Sequence, residues 1–346
     1  MINYSIVNDL NDERILPFLF SQQNAGIYHH PLWLKAIAKT FGHAPFYFVI
    51  SDKSNNIIGL IPFLKIKSIL TGKRIVCLPF STYCDPLLPN EIIKDAMEYL
   101  ILNFGEDFKI DLRSLKDYSD TLKNFSHNSE YVTHILELEE DSQKTFNSFH
   151  PTSVRASIRR AEKNNLTCRI ENTESDLRIF YNLEAQLRKR LLLPPLPYSF
   201  YLNVFNELKD TGLLSLPIIE KDNLPIAAGF ILNFKNTYYL EYTASDKNYL
   251  GLYPNHKLFW EVIKIAHEQG AAHVDFGRTS LDNNHLIIFK EKWNAKKQNI
   301  HHFVYPDTGL IKKKQQGLKN KMMKINSFLP LELLKLEGAI LYPHLD

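Results

Sequence analysis

The sequence predicts a mixed α/β (α+β) fold made of two tandem domains, each a mixed central sheet flanked by helices. Three observations predict it. The chain has 346 residues, too many for a typical single core and suited to two ordinary ones. Aromatic residues make up 12% of it, with 17 Tyr and 22 Phe, side chains that fit a pleated, half-buried surface. Strand-like apolar runs and helical periods also occur twice in the same order.

In the first half, Pro31–Phe41 reads as a helix: Pro31 suits a first helical position, Trp33, Ile37 and Phe41 share one face, and Gly42 ends it. Residues 46–50 and 57–66 read as a hairpin around the turn residues 52–56, residues 74–78 as a further strand, 91–104 as a helix and 108–112 as the strand after it. In the second half, residues 214–220 and 226–234 form the hairpin around 221–223. Residues 237–243 are the next strand, 255–269 the helix ended by Gly270, and 273–276 the strand after it. The hairpin glycine recurs as Gly59 and Gly229. The post-helix strand recurs as Ile110-Asp111-Leu112-Arg113 and Val274-Asp275-Phe276-Gly277-Arg278. These offsets of roughly 165–170 residues, about half the chain, imply duplication of a domain rather than a solenoid. The polar, acidic stretch 137–151 supplies the boundary, so the expected domains are 1–145 and 146–310, followed by a tail over 311–346. A helix is expected to begin at a Thr152 or Ser153 cap and run to Asn164, and another to span 176–192 before Pro194, Pro195 and Pro197 break it.

A net charge of +3 gives no global argument for nucleic acid. Cys77, Cys84 and Cys168 are widely spaced and contain no CxxC pair, which argues for a reducing compartment and against a zinc site; no metal is expected. The N-terminus lacks a secretory pattern and no apolar run reaches the ~18 residues of a membrane span. A soluble, cytoplasmic protein is expected, peripheral to the inner membrane face if its tail binds there.

Several motifs, in order, carry a resemblance. They are His30-Pro31-Leu32-Trp33-Leu34, Gly59-Leu60-Ile61-Pro62-Phe63, Leu78-Pro79-Phe80-Ser81 and Ile158-Arg159-Arg160-Ala161-Glu162-Lys163. The strongest follow: Ala244-Ser245-Asp246, Pro254-Asn255-His256, Asp275-Phe276-Gly277-Arg278-Thr279 and Phe289-Lys290-Glu291-Lys292-Trp293. Over residues 28–305 the chain resembles the FemAB-like branch of the GNAT superfamily, the group described as containing a BioF2-like acetyltransferase domain. The resemblance implies two GNAT-like domains and transfer of an activated acyl or aminoacyl group to an amine. The acceptor would be a cell-envelope or polysaccharide precursor, lipid- or nucleotide-linked, or a small metabolite. The co-substrate would be acyl-CoA or aminoacyl-tRNA, with no tightly bound cofactor and with tRNA as a partner in the second case. The chain departs from the family twice. The long helical hairpin of tRNA-recognising Fem ligases has no counterpart, and of the Q/R-x-x-G-x-G/A loop for coenzyme A only Gly251 stands in the stretch 247–256.

Direct attack by an amine needs a polarised carbonyl and fixed positive potential for the oxyanion. Lys290 is the first candidate, by its match to a lysine of the Fem ligases thought to stabilise the transferring carbonyl. Asp275 would accept the amine proton or orient the acceptor, and Arg278 would bind a carboxylate or phosphate; the alternative is a mutual ion pair. Asn255 and His256, at a helix start, would bind an anion, or Asn255 would simply cap the helix. Tyr242 would donate a proton or line the cleft, or be core. Arg155 and Arg159, one helical turn apart, would bind a phosphorylated acceptor or a nucleic-acid backbone, or form a solvated face, and Arg188, Lys189 and Arg190 form a similar cluster. Tyr28 and Trp33, at the first helix entry, are substrate-binding candidates. His30 there is more readily structural than a base, and Cys84 has no histidine partner at a recognisable spacing. The stretch 311–324 holds six lysines and no acid ahead of an apolar-rich end, suited to an anionic membrane or to packing on the second domain, of which packing is favoured. The alternatives to an enzyme are a non-catalytic GNAT-like binding module and an RNA-binding protein.

Overall fold

The computed structural model describes residues 2–77, 79–307 and 323–345. The chain forms two contact units. The first holds residues 2–130, 299–307 and 339–345, the second residues 131–298 and 323–338.

The first unit begins with β1 (Asn3–Val7), α1 (Ile15–Ser21), α2 (Pro31–Phe41), β2 (Ala44–Ser51), β3 (Ile57–Ser68) and β4 (Gly72–Val76), followed by α3 (Ile93–Phe104) and β5 (Lys109–Ser114). Helix α2 forms where it was expected. Pro31 is its first residue, its apolar stripe buries Trp33, Leu34 and Ile37, and Gly42 closes it at φ 71°. The strand order is β1-β2-β3-β4-β5, antiparallel up to β4 and parallel between β4 and β5, with α3 as the crossover. Phe46, Phe63 and Phe104 stack within its core.

The second unit contains most of β6 (Ser126–Glu137), then α4 (Ser142–Ser148), a π-turn over Pro151–Arg155, α5 (Ala156–Lys163), β7 (Thr167–Arg169), α6 (Glu174–Arg190), α7 (Tyr198–Leu208), β8 (Leu214–Ser215), β9 (Ile218–Lys221), β10 (Leu224–Phe234) and β11 (Thr237–Ser245). After these come α8 (Pro254–Glu268), β12 (His273–Asp275), β13 (Thr279–Ser280) and α9 (Asn284–Glu291). Its strand order β7-β9-β10-β11-β12 repeats that of the first unit, again antiparallel up to a parallel last pair, with α8 as the crossover. The core on one face joins α5 and α8 to the sheet through Ile158, Leu258, Val262, Tyr238 and Leu240. On the other face Phe180 of α6 and Tyr201 of α7 pack on Phe230.

Each sheet is completed by a strand from the other half of the sequence. β6 pairs antiparallel with β12 in the second unit, and β14 (Lys296–Tyr305) pairs antiparallel with β5 in the first. The units therefore differ from the expected spans 1–145 and 146–310: residues 131–145 lie in the second unit, and residues 299–307 in the first. Three local expectations also fail. The helix expected from a Thr152 or Ser153 cap starts after His150, with Pro151 first and no side-chain cap, as a π-turn. The expected strand 214–220 is interrupted at Leu216-Pro217, because proline donates no ladder hydrogen bond. Asn255 is not the cap of α8; that position is Tyr253, in the left-handed conformation at φ 63°.

The basic stretch 311–324 of the expected tail falls mostly on residues 311–322, outside the described residues. The described end of the tail carries α10 (Leu331–Leu341), which buries Leu334 and Gly338 and leaves Leu333, Leu336 and Ile340 exposed. Among the described residues no helix is long and apolar enough to cross a membrane.

Candidate active site

The parallel ladder between β11 and β12 runs from Thr237↔His273 to Tyr239↔Asp275 and stops there, while β11 continues to Ser245. Beyond Asp275 the chain turns through Gly277 at φ 71°. The turn is held by Asp275, whose Oδ1 accepts the Gly277 N–H at 2.8 Å and the Thr133 hydroxyl at 2.5 Å. A carboxylate that bonds an amide two residues on is an Asx turn. It directs the Gly277 carbonyl to Lys290 of α9, whose Nζ donates to it at 2.7 Å. Lys290 is only 5% exposed and Asp275 1%. Burial drives the Lys290 amine down to about 8, against the pull of Asp275 and Glu241, which favour the cation.

Two further buried groups share this neighbourhood. His134, next to Thr133 on β6, is fully buried, and neither ring nitrogen has a hydrogen-bond partner among the described residues. Burial, with the charges of Lys290 and Lys297, pushes its imidazole down to about 4, so it is neutral at physiological pH. The Thr279 hydroxyl on β13 is likewise buried without such a partner. Buried polar atoms are normally satisfied, so His134 and Thr279 keep hydrogen-bonding capacity close to the buried amine. The sequence reading missed His134 and Thr133. Their only sequence signal is polarity inside the otherwise apolar run Val132–Leu136.

The remaining candidates divide. Arg278 is exposed, lies 4.8 Å from the Tyr131 ring centroid as a cation–π pair, and stands one residue past the Lys290 carbonyl contact. The Asp275 Oδ1 is engaged within the turn. Tyr242 is buried with Phe200, Tyr201 and Phe230, and burial raises its phenol well above the ordinary value. Its ring packs in the core of this unit. His256 stacks on Trp293 and lines a pocket of about 330 Å³ with Ser153, Ser157, His285, Phe289 and Lys292, whose lining includes none of Lys290, Asp275 and Arg278. Burial pushes His256 down to about 4. Asn255 is half-buried at the second position of α8. Arg155 has a buried Nε with no hydrogen-bond partner among the described residues, and Arg159 lies over Phe146. Neighbouring Arg160 donates to the Tyr253 hydroxyl at 2.8 Å. Of the second basic cluster, Arg188 pairs with Glu184 and Arg190 donates to the Ser245 carbonyl.

Tyr28 and Trp33 belong to the first unit, where their rings meet edge to face at 5.3 Å and are buried. Both pack in the core of that unit. His30 caps α2 by accepting the Leu32 N–H, and Cys84 is buried. Asp111 and Arg113, the sequence counterparts of Asp275 and Arg278, form a buried charge cluster with His302, which holds Asp111 down at about 2 although burial alone would raise it.

Residues 149–285 match the family model described as Acetyltransferase (GNAT) domain. The chain is 31% identical over 132 residues to the lipid II:glycine glycyltransferase of two Staphylococcus epidermidis strains, a match covering 35% of the chain and 32% of those proteins. It thus spans about a third of the length of these curated relatives. Its fold is like that in the crystal structure of FemX, with a TM-score of 0.67 at 17% identity over 92% of this chain and all of that one. It is also like that of L-PGS from Bacillus licheniformis, with a TM-score of 0.55 at 14% identity over 93% of this chain and 98% of that one. The chain is thus similar to the FemAB-like branch of the GNAT superfamily, with the GNAT family match covering residues 149–285.

Proposed function

We propose that the protein transfers an aminoacyl group from aminoacyl-tRNA to an amine of a lipid-linked peptidoglycan precursor. One observation carries this reading: Lys290 of α9 is buried and, among the described residues, its Nζ donates to the Gly277 carbonyl, so an ammonium with three donors stands at the β12 turn to meet an incoming carbonyl. The acceptor class is that of the glycyltransferase relatives. An aminoacyl ester is favoured over a coenzyme A thioester by Asp246. Its Oδ1 accepts the Asn248 N–H at 2.9 Å, so a carboxylate stands at the loop where an ordinary GNAT domain offers amides to a pyrophosphate.

In the reaction the neutral acceptor amine attacks the ester carbonyl. The Lys290 ammonium offsets the oxyanion, the ester C–O bond breaks, and the amine proton leaves with the departing oxygen as the amide forms. Asp275 acts as a positioning residue, because its carboxylate fixes the turn that orients Lys290. The test is transfer of a labelled amino acid from charged tRNA, or of a labelled acyl group from acyl-CoA, to the amine of a peptidoglycan pentapeptide precursor. Transfer from charged tRNA that falls about 10²-fold or more in Lys290→Met is the expected result. Transfer from acyl-CoA alone would replace the donor assignment, and a Lys290→Met protein of undiminished rate would overturn the mechanism.

A further inference from the structure

The first unit carries a cluster of metal-ligating side chains unrelated to the transferase site. His127 opens β6, His301 lies on β14, and Asp117 sits in the loop after β5. His127 Nε2 is 3.0 Å from His301 Nδ1, and Asp117 Oδ1 is 3.7 Å from that same nitrogen. All three ligand atoms fall within 4.8 Å of one another. Ligands about 2.0 Å from a tetrahedral zinc ion stand roughly 3.3 Å apart, so the two measured separations straddle what such an ion needs.

The surroundings hold the ligands in place. The His127 ring stacks on Phe303 with centroids 4.7 Å apart and lies within 16° of the His301 plane. The Ser119 N–H donates to Asp117 Oδ1 at 2.9 Å and orients the carboxylate, as outer-shell partners of metal ligands do. The Asp117 side chain is half exposed and His301 is 12% exposed, which leaves open coordination positions facing solvent. Two imidazoles and one carboxylate are a donor set for a borderline divalent ion such as zinc, rather than for magnesium or calcium, which favour oxygen ligands.

We propose that Asp117, His127 and His301 bind one divalent transition-metal ion of the zinc class. The ion replaces the proton shared by the two imidazoles and clips the loop after β5 to strands β6 and β14. Without the ion, the same 3.0 Å contact is a hydrogen bond between the two rings. Isothermal titration of the full chain with zinc chloride tests the proposal, together with the visible absorption of a cobalt(II) substitute and the melting temperature with and without zinc. One zinc per chain, a tetrahedral cobalt spectrum and a raised melting temperature are expected, with affinity weakened about tenfold or more in His127→Ala and in His301→Ala. Asp117→Asn keeps every packed ring, so it gives the same reading if a histidine variant loses its near-ultraviolet circular dichroism. Absence of zinc binding, or binding that all three variants leave unchanged, overturns the site. Magnesium binding as tight as zinc binding overturns the ion class.

Discussion

Lys290 gathers much of the chemistry into one side chain. Burial moves its amine from about 10.5 to about 8, so near neutral pH it remains a cation held at a cost. That position was readable in part. Ile287, Lys290 and Trp293 recur at three-residue spacing, which places the lysine between two apolar groups on the inward face of α9, while Lys292 faces the pocket beside His256. The carboxylate and the carbonyl that fix the lysine come from β12 and its turn, and no spacing within α9 reveals them. Two outcomes follow. Transfer activity falls as pH rises through about 8, although a free acceptor amine alone would make it rise; a pH–rate profile without that basic limb would separate Lys290 from the chemistry. Lys290→Met, which removes a buried charge, gains ~1–3 kcal/mol of stability at neutral pH while losing transfer, measurable by urea unfolding. The sign is set by the lowered folded pKa: between pH 8 and 10.5 the unfolded chain holds the extra proton, so the native protein gains stability as pH rises through that window. The methionine variant lacks that rise.

Among the elements, strand β11 shows what a sequence pattern conceals. Phe230 stands opposite Tyr242 and Leu232 opposite Tyr239, so Leu240 and Glu241 together face the single residue Ile231. This bulge reverses the alternation. Tyr238 and Leu240 join the core under α8, whereas Tyr242, an even number of residues on, packs against Phe200 and Tyr201 on the opposite face. Period-two reading finds the strand and misplaces its tyrosine. The hairpin glycines sit in close quarters: a Cβ on Gly59 would lie 2.9 Å from the Leu88 Cβ, while one on Gly229 would meet the flexible end of Ile231 at 2.8 Å, so the case for glycine is the stronger at Gly59. Gly277 combines a left-handed φ of 71° with a Cβ that would approach the Glu241 Cα to 3.2 Å. Gly277→Ala is therefore expected to cost ~1–3 kcal/mol by thermal denaturation and to reduce transfer at temperatures where the variant is still folded, because it displaces the carbonyl bonded to Lys290. Full activity in a folded Gly277→Ala protein would show that the turn does not position the amine.

For the whole molecule, the duplicated order of elements was legible, and the unit boundaries were not. A sequence is read as consecutive pieces, so an acidic stretch at 137–151 looks like a linker. Yet β6 before it pairs with β12, well over a hundred residues later, and β14 returns to β5. Pairings across such separations leave no local periodicity to detect. The C-terminal segment is a third piece of this kind, since residues 323–338 belong to the second unit. Its hold on that unit rests on close approach. A Cβ on Gly338 would come within 2.0 Å of the Pro195 carbonyl oxygen and 3.5 Å of Pro194, the prolines that follow α6. Asn326 fastens the same segment by donating to the Leu192 carbonyl at 3.1 Å. A methyl group at residue 338 cannot be absorbed by a flexible side chain, because the obstructing atom is backbone. Gly338→Ala must lift α10 from its seat and uncover Leu334, at an expected cost of ~1–3 kcal/mol. Limited proteolysis reads the result directly: cleavage near residues 323–338 should accelerate in Gly338→Ala, while in Glu332→Ala, an exposed change on the same helix, it should match the parent protein. Equal cleavage in parent and Gly338→Ala would mean that the helix is retained by something other than this contact.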